Sequence, residues 1–287
     1  MKLVSIVRNG TEEAAILTEE GYLALSAVNE AAGKTWPVHL SAVLKGGFLE
    51  EIRVWYEHQL SRGWDPKLAA EPFASVRYAP PDRHPGKIWG VGANYAEKAA
   101  EMAVCPEEEP ICFMKPNTTL IGPEDIIILP QGSKRVTAEA ELAIIIGTAC
   151  KNVAPAEALD YVGGYAASLD MTEKDIHARN PRFLGRAKSF DTFFSLGPEL
   201  VTPDEITSLQ DLTVETVLNG HIACGSHIAN MIYSPAYILS FFSRFMTLLP
   251  GDILMTGTPG SVEIHEGDTV ECRIGGFLPL RNGVGRE

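Results

Sequence analysis

The chain has 287 residues, 45% of them apolar and 21% charged, with a formal net charge of −13. That composition is ordinary for a folded globular protein and excludes a chain that is disordered throughout. The acidic balance excludes a nucleic-acid partner, which would want a basic face, and reads first as a source of solubility, with some carboxylates available to hold a cation.

The opening run Met1-Lys2-Leu3-Val4-Ser5-Ile6-Val7-Arg8 lacks the long apolar core of a signal peptide. The longest apolar stretches fall far short of a membrane span, so a cytoplasmic protein without membrane contact is expected. Cys105, Cys112, Cys150, Cys224 and Cys272 form no CxxC pair. Such a scattered, odd set reads as reduced thiols, and no Cys/His cluster suggests zinc.

In chain order, residues 2–8 alternate as a strand, Asn9-Gly10 is a two-residue hairpin turn, and residues 12–17 read as the partner strand. Residues 38–61 carry apolar positions at helical spacing and end near Gly63. Pro80-Pro81 and Pro85-Gly86 punctuate the chain soon afterwards. A boundary near residue 75 is expected, with 1–75 a small N-terminal α/β domain and 76–287 the part that carries the chemistry.

Beyond Pro85, short apolar runs recur at 87–91, 111–114, 126–129, 141–146, 164–169, 214–218, 253–255 and 269–274. Helical patterns are few, at 95–103, 155–160 and 234–246. Many strands with few helices predict an α+β, β-rich fold and not a doubly wound sheet. The segments 95–110 and 175–187 read as loops. Gly90 and Gly92 lack the third glycine of a dinucleotide fingerprint, so no nicotinamide cofactor is expected.

Glu139 and Glu141 open one of the most apolar strands of the chain, Glu141-Leu142-Ala143-Ile144-Ile145-Ile146. Side chains of a strand alternate with period two, so both glutamates share a face. Taken alone, that strand is compatible with two glutamates at an exposed edge. It is equally compatible with a buried pair whose repulsion and desolvation a cation offsets. A second apolar strand, Gly163 to Leu169, ends in Asp170. Two glutamates and one distant aspartate supply three oxygen ligands, a set suited to a hard ion such as Mg²⁺ or Mn²⁺.

An ordered series of segments then resembles the fumarylacetoacetate hydrolase superfamily. Gly92-Ala93-Asn94-Tyr95-Ala96-Glu97-Lys98-Ala99-Ala100-Glu101 is followed by Phe113-Met114-Lys115-Pro116, Gly122-Pro123 and Ile128-Leu129-Pro130. Next come Glu139-Ala140-Glu141-Leu142, Gly164-Tyr165, Asp170 and Lys188-Ser189-Phe190-Asp191. Pro250-Gly251-Asp252-Ile253 and Thr256-Gly257-Thr258-Pro259 close the series. The pattern is most similar to the acylpyruvase and oxaloacetate decarboxylase type of member.

That resemblance implies a mixed β-sandwich or β-roll core of the fumarylacetoacetate hydrolase C-terminal type. It also implies Mg²⁺ or Mn²⁺ on Glu139, Glu141 and Asp170, and a homodimer. The implied activity is that of a metal-dependent hydrolase or lyase acting on a C–C bond of a small 2-oxo or 2,4-dioxo acid through a metal-stabilised enolate. Decarboxylase, tautomerase, hydratase or dehydratase chemistry on the same fold is the alternative, and a ligand-binding protein without turnover is a third reading. Lys188 is expected beside the substrate. Lys115, Lys174, His177 and Thr258 are expected to contact it. The segment 95–110 is expected to close over it.

This chain departs from the family pattern at several places. Hydrolytic members use a His-x-x-Glu pair to activate water. Here Lys98 stands at the histidine position while Glu101 remains; Lys98 and Glu101, with Lys188, are expected as the catalytic residues, Lys98 in place of the usual histidine, although a lysine near its reference pKa of ~10.4 must be shifted down by its surroundings to act as a base. Lys174 replaces an arginine and loses its bidentate fork. His177 replaces a glutamine and offers an acid–base group. The loop after Thr258 is short. Water-dependent C–C hydrolysis is thereby placed in doubt, while metal binding and enolate stabilisation are not.

Overall fold

A computed structural model describes residues 1–8, 10–19, 21–64, 70–73, 76–101 (Glu101 by its backbone alone) and 109–287. Strands β1 (Lys2–Arg8) and β2 (Thr11–Leu17) form the expected antiparallel hairpin, closing with Arg8 opposite Thr11. Asn9 of the expected turn lies outside the described residues, and Gly10 takes a left-handed φ of 80° that suits glycine. Strand β3 (Tyr22–Ala24) extends the hairpin, and helices α1 (Leu25–Ala32), α2 (Leu40–Lys45) and α3 (Leu49–Ser61) follow.

The continuous helical pattern of 38–61 is thus two helices. Gly46 and Gly47 separate them, and Gly47 sits at φ 74°, outside helical space. Helix α1 went unread because it buries only Leu25 and Val28, too few positions to show a period.

The chain continues through β4 (Arg77–Ala79), β5 (Ile88–Gly92), α4 (Ala96–Glu101), β6 (Ile111–Lys115), β7 (Leu120–Ile121) and β8 (Ile126–Leu129). Two long strands then form the centre of the molecule, β9 (Val136–Ile146) and β10 (Val162–Glu173). The expected helix at 155–160 is a 3₁₀ turn, Ala158–Tyr161. The segment 175–187, expected as loop, is largely helical, with α5 (Lys174–Arg179) and α6 (Leu184–Ala187). Glu173 caps α5 by accepting the Ile176 amide at 2.6 Å. These helices are too short for apolar periodicity to reveal.

The remainder comprises β11 (Phe194–Leu196), β12 (Glu199–Val201), β13 (Thr213–Leu218), β14 (His221–His227), α7 (Pro235–Phe245), β15 (Ile253–Met255), β16 (Val262–Ile264), β17 (Thr269–Ile274) and β18 (Leu280–Arg286).

Among the described residues the strands form two mixed sheets. The larger has 13 strands, with a main path β3-β2-β1-β12-β10-β9-β15-β5-β6. The smaller has five, in the order β14-β13-β17-β18-β8. Strands from both sides of residue 75 share the larger sheet, because β12 pairs with both β1 and β10.

Every residue of β9 and β10 is buried, and period-two alternation divides their two faces. On one face Ala138, Ala140, Leu142, Ile144 and Ile146 pack with Val214, Val270, Ile274 and Leu280 of the smaller sheet. On the other, Ala143 and Ile145 join a core with Leu3, Ile16, Leu25, Leu40 and Ile52 from the N-terminal elements. That second face also carries Glu139 and Glu141, two residues below its apolar end. No described helix is long and apolar enough to cross a membrane.

Candidate active site and metal centre

The register of the central hairpin assembles the acids. Asp170 stands directly opposite Glu139, and Ser168 opposite Glu141. Opposed residues on one face lie ~5 Å apart and diagonal ones ~7–8 Å. The three carboxylates are therefore cross-strand neighbours, with one ligand oxygen from each within 4.8 Å of the others. All three are buried.

Lysines surround them. The Lys188 ammonium, immediately after α6, donates to Glu139 Oε2 at 3.1 Å, to Thr172 Oγ1 at 2.7 Å and to Asp170 Oδ2. Lys115, at the end of β6, donates to the other oxygen of Asp170 at 2.6 Å. Lys98 on α4 and Lys174 at the start of α5 stand 3.9 Å and 3.8 Å from Glu139 Oε1. Lys98 also donates to Ser261 Oγ at 2.7 Å. His177 follows Lys174 by three residues, which places both on one face of α5.

These contacts set the charge states. Burial acts to raise Glu139, but Lys188, Lys174 and Lys98 outweigh it and hold this carboxyl down at about 2. Burial, followed by repulsion from Asp170, pushes Glu141 well above the usual carboxylate range. Burial lowers Lys115 to about 8 against the pull of Asp170. Burial also lowers Lys174, with Lys98 and Lys188 adding to the effect. His177 is lowered by burial and then by Lys174 and Lys188, which favours the neutral imidazole.

The donor set fits a divalent cation. Three hard oxygens converge, and the carboxyl pushed furthest toward its neutral form is the one a cation would relieve. Carboxylate oxygens carry about four lone-pair sites, so Asp170 can accept from its two lysines and still ligate. Glu139, Glu141 and Asp170 are a buried divalent-metal site.

The site opens into a cavity of about 200 Å³, smaller than the ~300–1,000 Å³ of most ligand pockets. Lys98, Glu139, Glu141, Lys174, His177, Lys188 and Thr258 line it, with Val91, Ala93, Ile111, Phe113 and Leu184 as an apolar wall. Lys115 lies behind Asp170, outside the lining. Thr258 turns its hydroxyl to the carbonyl of Gly260 at 2.5 Å, within its own loop. The Glu101 side chain and residues 102–108 of the expected lid lie outside the described residues. A second cavity, of about 310 Å³, is lined by Leu23, Val28, Trp55, Gln59 and Trp64 and has no ionisable residue among the described residues of its lining.

Four positioning residues were not anticipated. Gly257 donates its amide to Glu141 Oε2 at 2.7 Å. It does so at φ 91°, where a Cβ would stand 2.7 Å from that of Asn94. Asn94 ties the β5–α4 turn to the same loop by donating to Thr256 O at 2.7 Å. Thr172 and Ser261 receive Lys188 and Lys98. Thr172 was legible in principle, because it continues the face of Asp170 by period two. Nothing local marks Ser261.

The family described as "Fumarylacetoacetate (FAA) hydrolase C-terminal" matches residues 87–285. An uncharacterized protein of Archaeoglobus fulgidus is 43% identical over 74% of this chain and 83% of its own length. The mitochondrial oxaloacetate tautomerase Fahd2a of Rattus norvegicus is 36% identical over 72% of this chain and 69% of its own. The crystal structure of maleylpyruvate hydrolase from Sphingobium sp., in complex with manganese(II) and pyruvate, superposes with a TM-score of 0.80 at 28% identity. That match covers 100% of this chain and 99% of the other.

Proposed function

The chain is an enzyme of the fumarylacetoacetate hydrolase family, and we propose that it converts a small 2-oxo acid through its enol form, by tautomerisation or decarboxylation, without activating water. The observation that carries this reading is one small cavity lined by Glu139 and Glu141 of the acidic triad, three lysines and His177, with Lys98 where a hydrolytic member needs an imidazole. The rat relative is a tautomerase, and the Sphingobium relative holds manganese(II) and pyruvate. Both support a 2-oxo acid, and the second supports a divalent cation such as Mn²⁺.

A divalent cation held by Glu139, Glu141 and Asp170 would supply Lewis-acid polarisation of the substrate's 2-oxo oxygen. The protein contributes the rest. Lys188 places fixed positive charge beside the oxygen on which enolate charge develops. Lys115 and Lys188 hold Asp170 from both sides and so orient the triad. His177, kept neutral by burial and two lysines, is the group that takes or returns the proton on C3. The apolar wall limits water at the reacting carbon. A homodimeric working unit, implied by the family resemblance, is part of this reading, and its mass in solution tests it.

The test is an NMR product assay on oxaloacetate and acetylpyruvate side by side, with Mg²⁺ and then with a chelator. The expected result is chelator-sensitive enol–keto exchange or pyruvate release from oxaloacetate, with acetylpyruvate intact. Acetate and pyruvate from acetylpyruvate would overturn the reading and return the enzyme to C–C hydrolysis.

A further inference from the structure

Strand β9 has two edges. Along one it pairs with β10 over its whole length. Along the other it pairs with β16 at 136–138 and with β15 at 143–145. Among the described residues no strand pairs with that second edge at 139–142, the stretch that carries both metal-ligating glutamates. The chain leaves β9 after Met255 and returns at Val262, and the loop between supplies Gly257 to Glu141 and Thr258 to the cavity. A buried amide or carbonyl without a partner is costly, and side chains fill this gap. Thr256 donates its hydroxyl to the carbonyl of Leu142 at 2.9 Å, beside its own amide at 3.1 Å. The amide of Ala140, which lies between the two glutamates, donates to the hydroxyl of Thr216 at 3.0 Å.

Thr216 belongs to β13 of the smaller sheet and is fully buried. By period two it continues the core-facing position of Val214, where a hydroxyl needs a partner. Its cross-strand neighbour on β17 is Cys272, whose thiol donates to the carbonyl of Glu141 at 3.8 Å. One row of the smaller sheet thus meets two successive residues of the metal strand, at the Ala140 N–H and the Glu141 carbonyl. The Ala140 amide sits in the peptide plane that joins Glu139 to Ala140. A hydrogen bond there fixes the rotation of the strand about its own axis, and with it the direction in which both carboxylates project.

We propose that Thr216 is a positioning residue for the metal centre. Its hydroxyl stands in for the strand partner that β9 lacks at Ala140, and it holds Glu139 and Glu141 at the spacing a divalent cation requires. Thr216 acts through the backbone of β9 and not as a ligand. This assignment rests on the metal site of Glu139, Glu141 and Asp170 described above.

The experiment titrates Mn²⁺ into the full-length protein by calorimetry and records the electron paramagnetic resonance spectrum of the bound ion. Thr216→Val keeps the shape of the side chain and removes the acceptor. Its Mn²⁺ affinity should fall by ~10–100-fold, as for other residues that orient metal ligands, and the spectrum of the bound ion should change. Thr216→Ser, which keeps the hydroxyl, should restore both. Ser243→Ala removes a hydrogen bond of the same kind, from the Val153 amide to a buried hydroxyl on α7 at 3.0 Å, and should leave Mn²⁺ affinity unchanged. An unchanged affinity and spectrum in Thr216→Val overturn the proposal. So does a loss in Thr216→Ser or in Ser243→Ala as large as that in Thr216→Val. Where Thr216→Val does not fold, Thr216→Cys, whose sulfur is a weak acceptor, takes its place under the same criteria. Failure of the unsubstituted protein to bind Mn²⁺ overturns the metal assignment as well.

Discussion

The N-terminal part of the large sheet and the β9–β10 hairpin belong to one continuous surface, yet they use burial in opposite ways. Around β1, β2 and the three helices, burial removes apolar side chains from water, with Leu3, Ile16, Leu25, Leu40 and Ile52 fully enclosed. On the hairpin's site face, the same depth of burial is imposed on Glu139, Glu141, Asp170, Lys115 and Lys188. Apolar burial of a full side chain stabilises by ~1.5–3 kcal/mol. Buried ion pairs contribute little net stability, because desolvation consumes most of their attraction. The first region therefore holds the sheet in register, and the second uses that rigidity to keep like charges together.

Substitutions can break this contrast. The largest effect is expected from Glu141→Ala, which removes one of three ligands. Mn²⁺ affinity should fall by well over the ~10–100-fold typical of residues one layer out, and turnover should cease. Calorimetric titration with Mn²⁺ reads the affinity, and full activity would refute the metal assignment. Ile16→Ala, in the apolar region, should do the reverse. It should lower folding stability by ~2–5 kcal/mol in denaturant titration while leaving Mn²⁺ affinity unchanged in the folded protein.

His177→Gln sharpens the chemical half of the comparison. As the proposed base, His177 must be neutral, and its pKa is lowered. The rate should therefore rise with pH through a limb below the ~6.5 of a free imidazole and stay flat above it. The substitution should cost about 10²-fold in kcat and abolish that limb. An unchanged pH profile would remove His177 from the mechanism.

The smallest effect lies at the seam, on β12, which pairs with both β1 and β10 and carries Glu199 opposite Val4. Burial raises its pKa, with the Leu278 amide and Lys2 opposing. A carboxyl raised in the folded state binds more protons folded than unfolded. Stability should therefore fall as pH rises from the ordinary carboxylate value through the raised one. Glu199→Gln should flatten that slope and raise stability at neutral pH, as read by thermal unfolding across pH.

Much of the site was legible residue by residue. Period two placed Glu139 and Glu141 on one face, and the residue types announced a hard cation. The family resemblance supplied Lys115, Lys188 and Lys98. The Glu101 side chain and residues 102–108 of the expected lid lie outside the described residues. Local features without a long repeat were missed. Helices α1, α5 and α6 are too short to show a period, and the glycine pair at 46–47 interrupts a pattern that looks continuous.

By itself the sequence determined the β-rich class and the two carboxylate-bearing strands, because alternation and residue chemistry are local properties, and its resemblance to the family marked Lys98 as standing at an imidazole position. Tertiary structure alone decided that Asp170 faces Glu139, since cross-strand register depends on pairing between segments distant in the chain. It alone brought Lys98 from α4 and Lys174 from α5 to one small cavity, and Ser261 from the loop after β15 to Lys98. Electrostatic neighbours act through space, and the separation of these residues along the chain bears no relation to the few ångströms between their charges.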